Sequence, residues 1–387
     1  MQKRRVFSFS NRNCPAEPCG GSGGVNYKLL FANREYRYID EMYNIFKDVI
    51  IDNDSMLTVE LVGMRGKSYE EITQKKYLKL HSYYNFSNDD VYIFHDVESA
   101  LIFMSLFNAS KTVLVYHQQG SLYRENVAFG GVEDENKKKH LDNLLKEAIS
   151  RINYLGFPSV GAKQGLIDSE PSLENLVNKS NIKILYNGFK NSGNIEPLGE
   201  EAKQVIEKIK NFSEFKFITV AVLNSVKGVE RIPRFLSEIK KKYGEFKWII
   251  VGDGIKKSEL QANIDKYNIE ENVIWIKNKI PHDDILALFR YTDFYILTHR
   301  ISIFDFATIE AMSYGNIPIL TPVGGNKEVI IDNNGIFLND LTNIADFSEL
   351  ISNGLIEQTK LKNIRIAESM FNEREFLKRY AELVNEI

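Results

Sequence analysis

The chain has 387 residues, a formal net charge of −3 and two cysteines, with an isoelectric point near 6.2. That length has room for two domains with separate cores, the charge gives no general pull toward nucleic acid, and Cys14 and Cys19 make neither a disulfide framework nor a zinc pattern. The start, MQKRRVFSFSNRN, lacks the apolar segment of a signal peptide, and no uninterrupted apolar run approaches the length of about twenty residues that spans a bilayer, so a soluble or peripheral protein of the reduced cytoplasm is expected.

In the first half, apolar runs at Val6 to Phe9, Leu57 to Val62, Val91 to Phe94, Val113 to Tyr116 and Ile182 to Tyr186 predict strands, and helical patterns such as Val25 to Phe46 and Val97 to Leu106 lie between them. Between the first strand and the first helix sits Gly20-Gly21-Ser22-Gly23-Gly24, whose backbone can approach a diphosphate closely, although it has neither the spacing of a dinucleotide fingerprint nor the lysine of a P-loop. Asp52-Asn53-Asp54 after an apolar run reads as a polar turn or as an Asp-x-Asp metal site. His95 and His117 end predicted strands, where side chains open on a crevice, although a lone histidine at a strand end is more often a hydrogen-bonded structural residue. Lys137 to Ile152 sets Leu141, Leu144, Leu145, Ala148, Ile149 and Ile152 on one helical face behind a lysine run, a core-packing helix that can alternatively rest on anionic lipid.

Asn187 to Gly199 concentrates turn formers and marks the domain boundary. Beyond it, strands are predicted at Phe217 to Leu223, Trp248 to Val251, Val273 to Ile276, Phe294 to Leu297 and Ile317 to Leu320. Their alternation with helices implies parallel sheets and right-handed crossovers. Lys227-Gly228 follows the first of these strands, placing a compact cation where it can reach a phosphate. Gly252-Asp253-Gly254 reads as a structural turn, and Asn278-Lys279-Ile280 as the loop before the helix His282 to Phe289. The stretch from His299 to Glu328 is the most informative. A buried strand ends in Thr298-His299-Arg300, and a helix starting near Phe304 leaves its first N–H groups near Asp305, Phe306 and Ala307, where phosphate binds well. Glu310, one turn deeper, can accept two hydrogen bonds from the vicinal hydroxyls of a ribose. Gly324-Gly325 then lets backbone approach a ligand.

Over Phe304, Glu310-Ala311-Met312, Gly315, Pro318, Gly324-Gly325 and Glu328 the chain resembles the retaining glycosyltransferases of family 4. The resemblance implies the α/β GT-B fold, two Rossmann-like domains with parallel sheets facing across a cleft, with an acceptor domain over 1–190, a nucleotide-sugar domain over 191–370 and a C-terminal helix over 371–387 that crosses back. It implies donor contacts from Gly23, Gly24, Lys227, Ile280, Ser302, Phe304, Asp305, Phe306, Ala307 and Glu310, with Lys227 on the phosphates. His95 is implied close to the reacting centre, with Lys227 and Glu310, and His117 and Gln118 at the acceptor surface. Three departures stand out: Ser302 where the family has its first Glu, Ile303 and Asp305 where it has glycines, and Ala221-Val222 where it has Gly-Arg. Arg300 is the candidate to replace the missing arginine.

The expected activity is transfer of a sugar from a nucleotide sugar, expected to be a UDP-sugar, to a saccharide, lipid-linked or protein acceptor, with no cofactor, no metal and no nucleic-acid partner. Synthesis of bacterial envelope polysaccharide or glycoprotein, with peripheral contact at the inner face of the membrane, is the implied setting. The alternative is a catalytically silent GT-B partner that binds acceptor and stabilises an active glycosyltransferase. A dehydrogenase or epimerase would need the dinucleotide fingerprint, which is absent.

Overall fold

A computed structural model describes residues 5–9, 49–51, 68–189, 193, 196, 197 and 199–387. The first six strands are β1 (Val6–Phe9), β2 (Val49–Ile51), β3 (Val91–Phe94), β4 (Thr112–Val115), β5 (Tyr154–Phe157) and β6 (Asn181–Ile184), forming a sheet in the order β2-β1-β3-β4-β5-β6. Every pairing is parallel. The runs VFSF, VYIF and TVLV are buried along their whole length, as a sheet covered on both faces requires. Alternate side chains serve opposite faces. Phe7 and Phe9 join Tyr77, Tyr92, Phe94 and Phe103 in an aromatic core on one side, while Val6, Val91, Ile93, Val113 and Val115 meet Phe376, Leu377, Tyr380 and Val384 on the other. Those last four belong to the C-terminal helix Glu373–Glu386, which thus covers the first sheet rather than the second.

The second sheet contains β7 (Lys216–Val220), β8 (Lys247–Val251), β9 (Val273–Ile276), β10 (Phe294–Leu297), β11 (Ile317–Leu320) and β12 (Ile336–Phe337), in the order β12-β11-β10-β7-β8-β9 and again wholly parallel. In each sheet the strand order reverses once, between β1 and β3 and between β7 and β10. Ligands of open parallel sheets bind outside the carboxyl ends at such switch points.

The two lobes also touch directly. The Ser159 hydroxyl donates to the Ile303 carbonyl and Asn187 Nδ2 to the Phe304 carbonyl at 3.1 Å. A small core of Phe189, Phe304, Ile309, Met312, Val329 and Phe371, with Tyr186 partly buried beside it, joins them.

Several predicted boundaries move. The strand expected over Phe217 to Leu223 ends at Val220, and Leu223 N instead bonds the Asp253 carbonyl at 3.0 Å within a loop. β2, β5 and β12 were not predicted: β2 and β12 are three and two residues long, and Gly156 breaks the apolar run of β5. The basic helix spans Glu135–Arg151 and buries Leu145, Ala148 and Ile149. Its apolar face is spent on the core, which removes the lipid-facing alternative for that face. The predicted strand Leu57 to Val62, the helix Val25 to Phe46, the glycines Gly23 and Gly24 and the Asp52 to Asp54 turn lie outside the described residues.

Candidate functional site

The centre lies where β7 and β10 part. Past β7, Asn224 Oδ1 accepts from the Lys227 amide at 3.0 Å and fixes the loop. Gly228 follows with φ of +63°, and a Cβ there would stand 2.2 Å from the Thr298 carbonyl oxygen. Only glycine lets the lysine loop lie this close to the end of β10. Lys227 Nζ thereby reaches the Asp305 Oδ1, with which it forms an ion pair, and lies 3.3 Å from His299 Nε2.

Asp305 is the N-cap of the helix Phe306–Ser313, so the helix begins two residues later than the expected start at Phe304. Its Oδ2 accepts from the Thr308 amide at 3.2 Å, the Thr308 hydroxyl at 3.1 Å and the Tyr295 hydroxyl at 3.0 Å. Aspartate is among the strongest N-caps, and here it takes part of the amide array expected to wait for phosphate. Burial alone would push this carboxyl up, but Lys227 and His299 outweigh it and hold the group far below the usual carboxylate range. Burial and the Lys227 charge push the His299 imidazole down, against the opposing pull of Asp305.

Glu310 projects from the same helix, with Oε1 3.1 Å from His282 Nε2 and a side chain 13% exposed. His282 opens the helix His282–Phe289 directly after the Ile280 loop, so that loop and Glu310 are neighbours. The pairing with His282 was invisible in the sequence, since nothing local couples positions 28 apart. Phe306 and Ala307 open the helix, whereas Phe304 is buried at 2% exposure in the small joining core. Ser302 is also buried, and its hydroxyl has no hydrogen-bond partner among the described residues.

Arg300 and the Gly324-Gly325 pair, expected to face a ligand, have protein partners in this structure. Arg300 does not extend toward Lys227: its Nη1 sits 2.6 Å from Glu230 Oε1 and 2.5 Å from the Ser225 carbonyl, because the buried Glu230 carboxylate supplies the stronger partner. Gly324-Gly325 serves chain packing. A Cβ on Gly324 would stand 1.9 Å from the Ser302 carbonyl oxygen and one on Gly325 2.4 Å from that of Ile303.

On the first domain, His95 follows β3 and is 1% exposed. Its Nε2 meets the Ser8 hydroxyl at 3.0 Å and its Nδ1 meets His117 Nε2 at 2.9 Å. Burial, then the neighbouring ring, pushes the His95 pKa well down. Burial lowers His117 to about 4. The pair is therefore neutral near pH 7, and both ring nitrogens of His95 are occupied. Gln118 beside it has a buried side-chain oxygen without a hydrogen-bond partner among the described residues. A cleft of about 410 Å³, lined by Arg124, Val127, Lys138, Ser225, Val226 and Arg300 among others, opens between the domains.

A further residue, Glu328, bridges the lobes. Its carboxylate accepts from the Val160 amide at 3.0 Å, the Gly161 amide at 2.7 Å and the Tyr186 hydroxyl at 2.7 Å. Together with the Ser159 hydroxyl on Ala162 at 2.8 Å, it satisfies the amino end of the first-domain helix Val160–Ser169 from the other domain. Gly161, overlooked in the sequence, permits the contact, since a Cβ there would lie 2.1 Å from the Gly324 carbonyl carbon.

Residues 201–368 match the glycosyl transferases group 1 family. The two-domain architecture is the GT-B fold, shared over 99% of both chains with sucrose-phosphate synthase from Thermosynechococcus elongatus at a TM-score of 0.71 and 14% identity. Anabaena Alr3699/HepE in complex with UDP-glucose superposes with a TM-score of 0.67 and 15% identity, over 99% of this chain and 100% of that one. Among relatives by sequence, the phosphatidylinositol N-acetylglucosaminyltransferase gpi3 subunit of Schizosaccharomyces pombe is 22% identical over 49% of this chain and 38% of its own length. The GPI3 subunit of the Saccharomyces cerevisiae phosphatidylinositol N-acetylglucosaminyltransferase is 22% identical over 38% of this chain and 31% of its own length. The chain therefore spans well under half the length of these relatives. Among the described residues no helix is long and apolar enough to cross a membrane, and no group of three or more His, Cys, Asp or Glu side chains could hold a metal ion.

Proposed function

We propose that the chain is a glycosyltransferase of the EC 2.4 type that moves a sugar from a nucleotide sugar to a saccharide, lipid-linked or protein acceptor with retention of configuration. The observation that carries this reading is the convergence of Lys227, the amino end of Phe306–Ser313 and Glu310 at the β7/β10 switch point. Glycosyl transfer develops oxocarbenium character on the sugar and negative charge on the departing diphosphate oxygen. A fixed ammonium and helix amides directed at that oxygen lower the barrier, while Glu310 holds the ribose hydroxyls and the Ile280 loop borders the base. Retention follows from the family resemblance, and no carboxylate is assigned as a covalent nucleophile. UDP-glucose in Alr3699/HepE supports a UDP-sugar donor, and the names of the phosphatidylinositol N-acetylglucosaminyltransferase relatives support a lipid-linked acceptor. The acceptor would enter between the domains near His117 and Gln118, and the protein would work in the cytoplasm, in contact with the inner face of the membrane.

Screening nucleotide sugars for thermal stabilisation tests the donor, since a selective ligand raises apparent stability with its concentration. Transfer or hydrolysis of the selected donor, with kcat/KM falling at least about 100-fold in both Glu310→Ala and Lys227→Ala, supports the enzyme. A second reading, a silent GT-B partner that binds acceptor, is favoured by Ser302 in place of a carboxylate and by Asp305 neutralising Lys227. It prevails if the pure protein binds acceptor but neither transfers nor hydrolyses any donor.

A further inference from the structure

The anion seat at the head of Phe306–Ser313 already holds an anion, and it belongs to the chain. Both oxygens of Asp305 are engaged: Oδ1 by Lys227 Nζ, with His299 Nε2 at 3.8 Å, and Oδ2 by the Tyr295 hydroxyl, the Thr308 amide and the Thr308 hydroxyl. An ammonium, a hydroxyl pair and a helix amide around two oxygens are what a phosphate group would recruit. The side chain is 10% exposed, so it sits at the rim of the seat, with a path outward.

We propose that Asp305 is a built-in competitor for the phosphates of the ligand: a nucleoside diphosphate enters by displacing this carboxylate from Lys227 and Thr308, and the residue at this position sets the affinity of the site. The inference rests on the reading of this centre as a nucleotide-sugar site. A bound diphosphate and the Asp305 carboxylate cannot share Lys227 without two anions meeting in a largely buried space, which electrostatics opposes strongly. Displacement swings one side chain outward and gives Lys227 to the incoming phosphate. The rest of the helix, Glu310 included, need not move.

The test is calorimetric titration of UDP, and separately of uridine, into the full-length protein, Asp305→Gly, Asp305→Asn and Asp305→Gly/Lys227→Ala. Asparagine keeps the helix cap without the charge, so it decides the matter if the glycine variant fails to fold. The proposal expects both single variants to bind UDP at least ten-fold more tightly than the parent, uridine to gain nothing, and Lys227→Ala to abolish the gain. Equal or weaker UDP binding in both single variants overturns it, and would mean that Asp305 positions Lys227 for the ligand. An equal gain for uridine also overturns it, because the effect would then lie outside the phosphate seat. If no protein in the series binds UDP, the UDP-sugar reading falls and takes the inference with it.

Discussion

Replacing Glu328 by alanine removes a carboxylate of the second domain from the amino end of a first-domain helix. Three donors lose their acceptor: the amides of Val160 and Gly161 and the hydroxyl of Tyr186. Val160 is exposed and its amide can turn to water, whereas the Gly161 amide is confined against Gly324. A donor left without an acceptor in a confined place costs about 1–3 kcal/mol, and the lost charge at a helix amino end adds about 0.3–1 kcal/mol. Glu328→Ala should therefore cost about 2–3 kcal/mol and Glu328→Gln about 1–2 kcal/mol, since glutamine keeps one acceptor oxygen, loses the charge and turns an amide NH2 toward the donors that the other oxygen served. The cost should fall on docking of the domains. Both tryptophans, Trp248 and Trp275, lie in the second sheet, so their fluorescence follows that domain alone while far-ultraviolet circular dichroism follows both. In urea the parent's two signals should change together, whereas in Glu328→Ala the dichroism transition should begin earlier and separate from the fluorescence. Small-angle scattering should show a larger radius of gyration. Coincident transitions at the parent's midpoint, with unchanged scattering, would refute the assignment of Glu328 as the bridge.

Two further outcomes follow from the same geometry. Gly228→Ala places a Cβ in contact with the Thr298 carbonyl at a positive φ; it should cost at least about 1–3 kcal/mol and, by displacing Lys227, weaken nucleotide-sugar binding, whereas equal binding by a folded variant would remove the loop from the site. The His95–His117 pair is neutral in the fold because burial lowers both groups. The unfolded chain takes up protons first as pH falls below about 6.5, so stability present above that value should decline toward pH 4, where His117 itself titrates. With partial exposure of His117 discounted, the loss should be on the order of 2 kcal/mol. Urea midpoints between pH 7.5 and 4.5 measure it, and an identical pH slope in His117→Asn would show that the pair is not responsible.

The fold was legible because both sheets are built largely from short apolar-rich runs separated by helix-length segments, a pattern that parallel α/β domains cannot avoid. Of the strands that escaped, β2 and β12 are only three and two residues long, and β5 is interrupted by Gly156, where a Cβ would stand 2.9 Å from the Leu185 side chain. At the site, the strand-end position of Lys227 and the helix bearing Glu310 could be read directly, since both follow from local order along the chain. Partners could not. His282 for Glu310, Glu230 for Arg300 and Val160 for Glu328 are joined by tertiary packing across 28, 70 and 168 positions, and no local propensity encodes such separations. Asp305 could be seen as a departure from a glycine, but its consequence, a cap that also neutralises the lysine, needs the geometry of Lys227 and Tyr295 together.

The two switch points thus offer a ligand opposite electrostatic conditions. On the first domain His95 and His117 are neutral and mutually hydrogen bonded, suited to hydroxyl-bearing groups that carry no charge. On the second, Lys227 and the helix head, both engaged by the Asp305 carboxylate, form the proposed phosphate seat. A half-buried lysine left without a counter-charge would cost the fold some stability. On the proposed reading, the ion pair by which Asp305 stabilises this centre is also what opposes binding of phosphate there. A glycine at that position would reverse both effects together, lowering stability without ligand and raising affinity with it, and this inverse coupling distinguishes a competing carboxylate from one that serves only as a helix cap.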